Sequence, residues 1–196
     1  EKTRDIYGEI QPIDEQRVIV ADDEQWFELN GRPLQTIYTE GHARHHYVLN
    51  DPRSRGVFTG DSFGVSYREH DTVQGAIVFP TTTPVHFDPV EAHRAVDRIL
   101  ACEPEQVYLT HYSRVTDLDR LAAEMHAGID TYVAIALEYA DDANRLAALQ
   151  AGLLEYYVQR LHEHGYQGDR DAVASTMSID IPLNAQGLEV WLDRRQ

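Results

Sequence analysis

Three stretches of this sequence each end a run of β-forming residues on a side chain able to bind a metal. Thr39-Glu40-Gly41-His42-Ala43-Arg44-His45-His46 carries His42, Phe58-Thr59-Gly60-Asp61-Ser62-Phe63-Gly64 carries Asp61, and Tyr108-Leu109-Thr110-His111 carries His111. If each stretch is the mouth of a different strand, the three side chains can meet at one edge of a sheet. Rigid strand ends place ligands more accurately than free loops do. Two imidazoles and a carboxylate suit zinc, iron or manganese. Gly60-Asp61-Ser62 is also a plain turn sequence, with the Asp side chain bonding its own backbone. The β-run Val57-Phe58-Thr59 ahead of it favours the chemical role.

Other polar residues surround these three in sequence. His46 follows His42 by four residues, which suits a core residue or one that hydrogen-bonds a neighbour behind the ligands. Arg44 and His45 stand at the mouth, either meeting an anionic substrate group or solvated in a loop. Tyr67, Arg68 and His86 lie in a long polar-aromatic stretch over 65–87. An arginine there can hold a carboxylate or phosphate by two parallel hydrogen bonds. His126, His162 and His164 fall in helical sequence and are expected at the surface.

The elements that must position the site read as follows. Arg17-Val18-Ile19-Val20 is a short strand candidate. Gln25–Leu29 and Leu34–Thr39 flank Asn30-Gly31, a pair that tolerates positive φ and so signals a hairpin. His46–Leu49 and Gly56–Thr59 form a second hairpin-like pair, giving five short strands in this region. Asp88-Pro89-Val90-Glu91 starts a helix with an Asp cap, Pro at the first position and Glu at the third. Gln106–Leu109 is the strand that delivers His111. Beyond Thr116 the pattern turns helical. Leu118, Leu121, Met125, Ile129, Tyr132 and Val133 make one stripe. Leu146, Leu149, Leu153, Tyr157 and Leu161 make a second, on a helix starting at Asp141-Asp142. These two form a helical hairpin, and residues 181–196 form a short closing segment around Trp191. Tyr139, Tyr156, Tyr157 and Tyr166 belong to the helical core or cover the site with amphipathic rings. The division falls near residue 115, into a β-rich part (1–115) and a helical appendage (116–196).

The order T-x-G-H-x-x-x-H, F-T-G-D-x-x-G, L-T-H resembles the second half of the metallo-β-lactamase superfamily over roughly residues 7–115. The family segment T-P-G-H-T-P-G-H is matched by Thr39 to His46, with Glu40 in place of Pro and His45 in place of Gly. The resemblance implies an α/β (α+β) fold, half of an αββα sandwich followed by a helical hairpin, somewhat like the glyoxalase II group. It implies that His42 binds one metal, His111 a second, and Asp61 bridges them, so that Asp61 also counts as catalytic. The family's H-x-H-x-D-H signature, which would precede these motifs, has no counterpart among the ten histidines. The chain opens on Glu rather than Met. It is therefore expected to be the C-terminal portion of a longer enzyme, whose missing N-terminal portion is its first partner.

Composition narrows the remaining classes. Lys+Arg number 17 against 33 Asp+Glu, a net charge of -16, and such a surface repels phosphate backbones, so nucleic acid is not an expected partner. No 18-residue apolar run is present, so no membrane partner is expected. Cys102 is the single cysteine, which excludes an internal disulfide framework. With the polar N-terminal residues it fits a cytoplasmic protein.

The expected activity is metal-dependent hydrolysis of a small-molecule thioester, lactone or phosphoester, with a metal-bound hydroxide as nucleophile. The metal expected is binuclear zinc, with iron or manganese as substitutes. The isolated chain is expected to be incomplete, and its helical stripes leave room for a homo-oligomer. The alternatives are an iron-dependent oxidoreductase on the same fold, persulfide dioxygenase-like or flavo-diiron-like, and a noncatalytic binding or assembly module.

Overall fold

A computed structural model describes residues 4, 8–9, 11–82, 86–111 and 113–195. Asn30 and Gly31 take φ of 50° and 75°, the two left-handed conformations that a tight hairpin needs. They fold β1 (Trp26–Leu29) back onto β2 (Arg32–Tyr38). The chain continues through β3 (Tyr47–Asp51) and β4 (Gly56–Gly60), both antiparallel to their predecessors. At the far end of β3 the buried Asp51 carboxylate accepts from Arg32 Nε at 3.0 Å and Ser54 Oγ at 2.6 Å. The Arg32 guanidinium holds its pKa down, at about 2.

After β4 the chain crosses over through α1 (Pro89–Leu100) to β5 (Gln106–Leu109), which runs parallel to β4. A parallel neighbour requires such a crossover. Asp88 caps α1 by accepting from the backbone N–H of Val90 at 3.0 Å and Glu91 at 3.2 Å. The two-residue β6 (Arg114–Val115) closes the sheet, whose strands lie in sequence order. Four helices follow: α2 (Leu118–Glu138), α3 (Arg145–Glu163), α4 (Arg170–Thr176) and α5 (Asp180–Asp193).

Alternation along the strands sorts the side chains onto two faces. Ile37, Val48, Val57, Val107, Leu109 and Val115 bury one face against Val96 and Ile99 of α1 and Leu121, Met125 and Ile129 of α2. A second core joins Tyr132 and Ile135 of α2 to Leu149, Leu153 and Tyr157 of α3 and Leu188 of α5, with Ile77, Phe79 and Phe87 added. Helix α2 therefore serves both cores. The other sheet face carries the cross-strand pair Tyr38 and Tyr47, then Phe58 stacked on Tyr108 at 4.7 Å. Tyr38, Tyr47 and Phe58 are exposed there.

The structure corrects several expectations. Val18–Val20 form no strand and are exposed; among the described residues no strand pairs with their backbone. Among the described residues the first region holds four strands, not five, and β6 joins later. Helix α3 starts at Arg145 rather than at Asp141. The closing segment is part of a 14-residue helix, α5, preceded by the short α4. Pro182 stands in the first turn of α5, where a missing N–H costs nothing. The described residues of 65–82 are irregular but not loose: Val65 bridges Phe79, and Ile77, Val78 and Phe79 are buried. His164 is buried rather than superficial, its Nε2 donating to the Gly75 carbonyl at 2.9 Å. Tyr157 lies wholly inside the helical core, and Tyr139, Tyr156 and Tyr166 pack against it instead of lying over the strand ends. Among the described residues no helix is long and apolar enough to cross a membrane.

Candidate metal centre

The loop after β2 brings His42, the turn after β4 brings Asp61, and the end of β5 brings His111. Their side chains adjoin. His42 Nε2 is 3.6 Å from Asp61 Oδ2, and His111 Nε2 is 3.5 Å from Asp61 Oδ1. Two ligands at about 2.0–2.2 Å from one ion, at a tetrahedral angle, lie about 3.3–3.6 Å apart. Each histidine thus makes a donor pair with a different oxygen of one carboxylate. Among the described residues no three or more His, Cys, Asp or Glu side chains gather tightly enough to hold a metal ion by themselves. The arrangement is two histidine–carboxylate pairs that share Asp61.

The hydrogen bonds behind His42 fix its tautomer. Its Nδ1 lies 2.9 Å from Thr81 Oγ1 and 3.4 Å from the Thr81 carbonyl oxygen. A carbonyl only accepts, so Nδ1 carries the proton. Thr81 Oγ1 in turn donates to the Asp61 carbonyl at 3.3 Å, leaving its lone pair for the imidazole. Burial lowers the His42 pKa, outweighing the pull of Asp61. With Nδ1 as the donor, the neutral form of the ring points its Nε2 lone pair at a carboxylate oxygen. Asp61 Oδ1 is itself buried without a hydrogen bond. In that form two electron-rich atoms face each other, and Oδ1 is a buried acceptor left bare. A cation satisfies both, so this donor set fits a metal.

His46 holds the Asp61 backbone. Its Nε2 accepts the Asp61 N–H at 3.1 Å, and its Nδ1 lies 3.0 Å from Ser62 Oγ and 3.1 Å from Thr39 Oγ1. Burial pushes its pKa down to about 4, so the ring is neutral and keeps Nε2 as an acceptor at ordinary pH. Gly60 makes this approach feasible: its φ is +52°, and a Cβ there would collide with the His46 ring.

The remaining candidates are dispersed. His45 packs edge-on to His86, ring centroids 6.4 Å apart. Arg44 and His86 line a cleft of about 510 Å³ with Trp191 and Arg195. Tyr67 donates to Asp180 Oδ2 at 2.7 Å. Arg68 turns to Asp71 and the Arg114 carbonyl, at 3.0 and 2.7 Å, and is not brought to the three converging side chains. Thr81 was not singled out by the sequence as a site residue. It lies 39 positions from His42, and no local spacing marks it.

No protein-family model matches the sequence. The metallo-β-lactamase fold-containing protein ST1585 of Sulfurisphaera tokodaii is 34% identical over 108 residues, 54% of this chain and 37% of that protein. The crystal structure of ST1585 from Sulfolobus tokodaii matches with a TM-score of 0.56 at 23% identity, over 95% of this chain and 58% of the other. This is a metallo-β-lactamase-fold chain. A metallo-β-lactamase family protein from Thermus thermophilus, TTHA1429, shares the fold with a TM-score of 0.52 at 16% identity, over 81% of this chain and 48% of its own. The chain spans 37–58% of the length of these relatives. It carries the C-terminal part of the metallo-β-lactamase fold, and the strand ends with His42, Asp61 and His111 belong to that part.

Proposed function

We propose that this chain supplies His42, Asp61 and His111 to a binuclear site of a metal-dependent hydrolase, the remaining ligands coming from an N-terminal portion outside it. The supporting observation is the opposition of the His42 Nε2 lone pair to the Asp61 carboxylate, beside an Oδ1 that lacks a hydrogen bond. Zinc suits this N/O donor set, with iron or manganese as substitutes. A divalent metal held by these residues would supply Lewis acidity and make a water acidic enough to serve as nucleophile near neutral pH.

The chain's own residues do the positioning. Asp61 turns one oxygen toward each histidine and would be shared between the two metal positions. His46 holds the Asp61 backbone, and Thr81 aims His42. Thioesters, lactones and phosphoesters are the substrates in view, with Arg44 and His45 as candidate contacts for an anionic group. The uncovered aromatic face of Tyr38, Tyr47, Phe58 and Tyr108 is the surface on which the N-terminal portion would dock. An apolar sheet face of this kind is buried in a layered fold.

The test is metal analysis of the full-length protein combined with hydrolysis of thioester, lactone and phosphoester substrates, with and without chelator. Zinc with chelator-sensitive hydrolysis supports the reading. Iron with oxygen consumption replaces it with an oxidoreductase, and no metal with no turnover leaves a noncatalytic module.

A further inference from the structure

The segment over 80–82 is clamped on both sides of Thr81 by the C-terminal helices. On one side, Tyr132 of α2 donates its hydroxyl to the Pro80 carbonyl at 2.9 Å. On the other, Asn184 of α5 accepts the Thr82 N–H at 2.7 Å through Oδ1, while Thr82 Oγ1 reaches the Asn184 carbonyl at 3.1 Å. The two sides are joined. Asn184 Nδ2 donates to Tyr157 Oη at 2.9 Å and lies 3.3 Å from Tyr132 Oη, and the two tyrosine hydroxyls bond each other. The Thr82 N–H fixes which end of the Asn184 amide is oxygen, so the direction of the whole chain is determined. It runs from Asn184 through Tyr157 and Tyr132 to the Pro80 carbonyl.

All four side chains are buried, Tyr132 and Tyr157 completely, Asn184 and Thr82 at 3% and 4% exposure. Buried polar groups are costly unless every partner is present. The helices also give way to let the segment in. A Cβ at Gly128 of α2 would come within 2.8 Å of Pro80 Cδ, and one at Gly187 of α5 would overlap the Thr82 side chain. Glycine inside a helix is otherwise unfavourable by about 1 kcal/mol relative to alanine. Both glycines thus lie under the same three residues. Among the described residues, the hydrogen bonds of the middle residue, Thr81, go to His42 and Asp61 rather than to Tyr132, Tyr157 or Asn184. It presents its carbonyl and hydroxyl to His42 Nδ1.

We propose that Asn184 is a positioning residue: through the Pro80–Thr82 segment it holds the tautomer of His42 that leaves Nε2 free for a metal. The helical region then has a part in the metal centre that its sequence does not suggest. This inference builds on the metal-site reading, but its first readout does not need metal.

That readout is the two-bond ¹H–¹⁵N spectrum of histidine-labelled protein, which separates a protonated ring nitrogen from a bare one. The wild-type chain is expected to show His42 with Nδ1 protonated and Nε2 bare. Asn184→Ala is expected to convert this to a mixture of tautomers while circular dichroism keeps its helix content. Zinc affinity should fall about 10–100-fold, the usual effect of removing support behind a ligand. Tyr132→Phe, which preserves shape, serves where Asn184→Ala folds poorly and is expected to shift the tautomer the same way. Thr81→Val should do likewise, with Thr81→Ser restoring the wild-type spectrum. If Asn184→Ala and Tyr132→Phe lower the melting temperature yet leave the His42 spectrum unchanged, the network is purely structural and the inference is overturned. If the wild type shows the expected tautomer, the variants lose it, and zinc does not bind at all, the metal-site reading fails and the positioning role stands.

Discussion

His42 and His111 approach one carboxylate from opposite sides and are held very differently. The His42 side chain is 20% exposed, with its far nitrogen bonded to Thr81, which the Asp61 backbone and the helices behind it hold in turn. The His111 side chain is 56% exposed, and among the described residues no hydrogen bond restrains its ring. One edge of the site is preorganised and the other is only delivered to the neighbourhood by a strand end. Preorganised ligands lose less freedom when they bind. On the proposed reading, the His42–Asp61 position fills first and more tightly, and the His111–Asp61 position depends on what the absent part of the protein adds.

The largest expected effect removes the comparison altogether. Asp61→Ala takes one oxygen from each edge, and isothermal titration should then detect no zinc binding, while circular dichroism shows the helices intact. Retained binding at wild-type strength would mean that the carboxylate does not join the two edges.

A second substitution separates the site from the frame behind both edges. Leu153 is fully buried in the helical core, and Leu153→Ala should lower stability by about 2–5 kcal/mol. Thermal or denaturant unfolding measures this, and zinc titration of the folded variant should be unchanged. An unchanged melt would show that Leu153 does not pack in the helical core.

The asymmetry itself is tested by comparing single histidine variants. His42→Ala should weaken the tighter zinc-binding event by about tenfold more than His111→Ala, about 1.4 kcal/mol. Equal losses would remove the distinction between the edges.

The smallest effect is a control at the far end of β3. The Arg32 guanidinium holds the Asp51 carboxyl at about 2, below the usual 3.8. Because the folded pKa is the lower one, Asp51 contributes stability above about pH 4 and loses it as the pH falls toward 2. Asp51→Asn should lack this part of the acid-induced loss in unfolding curves taken across that range, without altering zinc binding at neutral pH. An Asp51→Asn curve parallel to wild type would mean the ion pair contributes nothing.

The same contrast explains how much could be read from the sequence. His42, Asp61 and His111 were legible because each stands in its own short motif at a strand end. The Asn30-Gly31 hairpin and the Asp88-capped helix were legible for the same local reason. Thr81, Asn184 and Tyr132 were not, since the hydrogen bonds that tie Thr81 to His42, Tyr132 to Pro80 and Asn184 to Thr82 span 39, 52 and 102 positions. Helix α5 was underread because Pro182, Asn184 and Gly187 weaken helix propensity, which packing against α3 overrides. Val18–Val20 have the composition of a strand, but a strand exists only where a partner lies beside it. The burial of His164 depends on a backbone carbonyl 89 residues away.

Anomalous diffraction at the zinc edge, from crystals of this chain grown with zinc, tests the central claim most directly. The account predicts the strongest peak between His42 Nε2 and Asp61 Oδ2, with a weaker one or none between His111 Nε2 and Asp61 Oδ1. A strong zinc peak elsewhere with neither of these positions occupied, or one bound by His111 without His42, would contradict it.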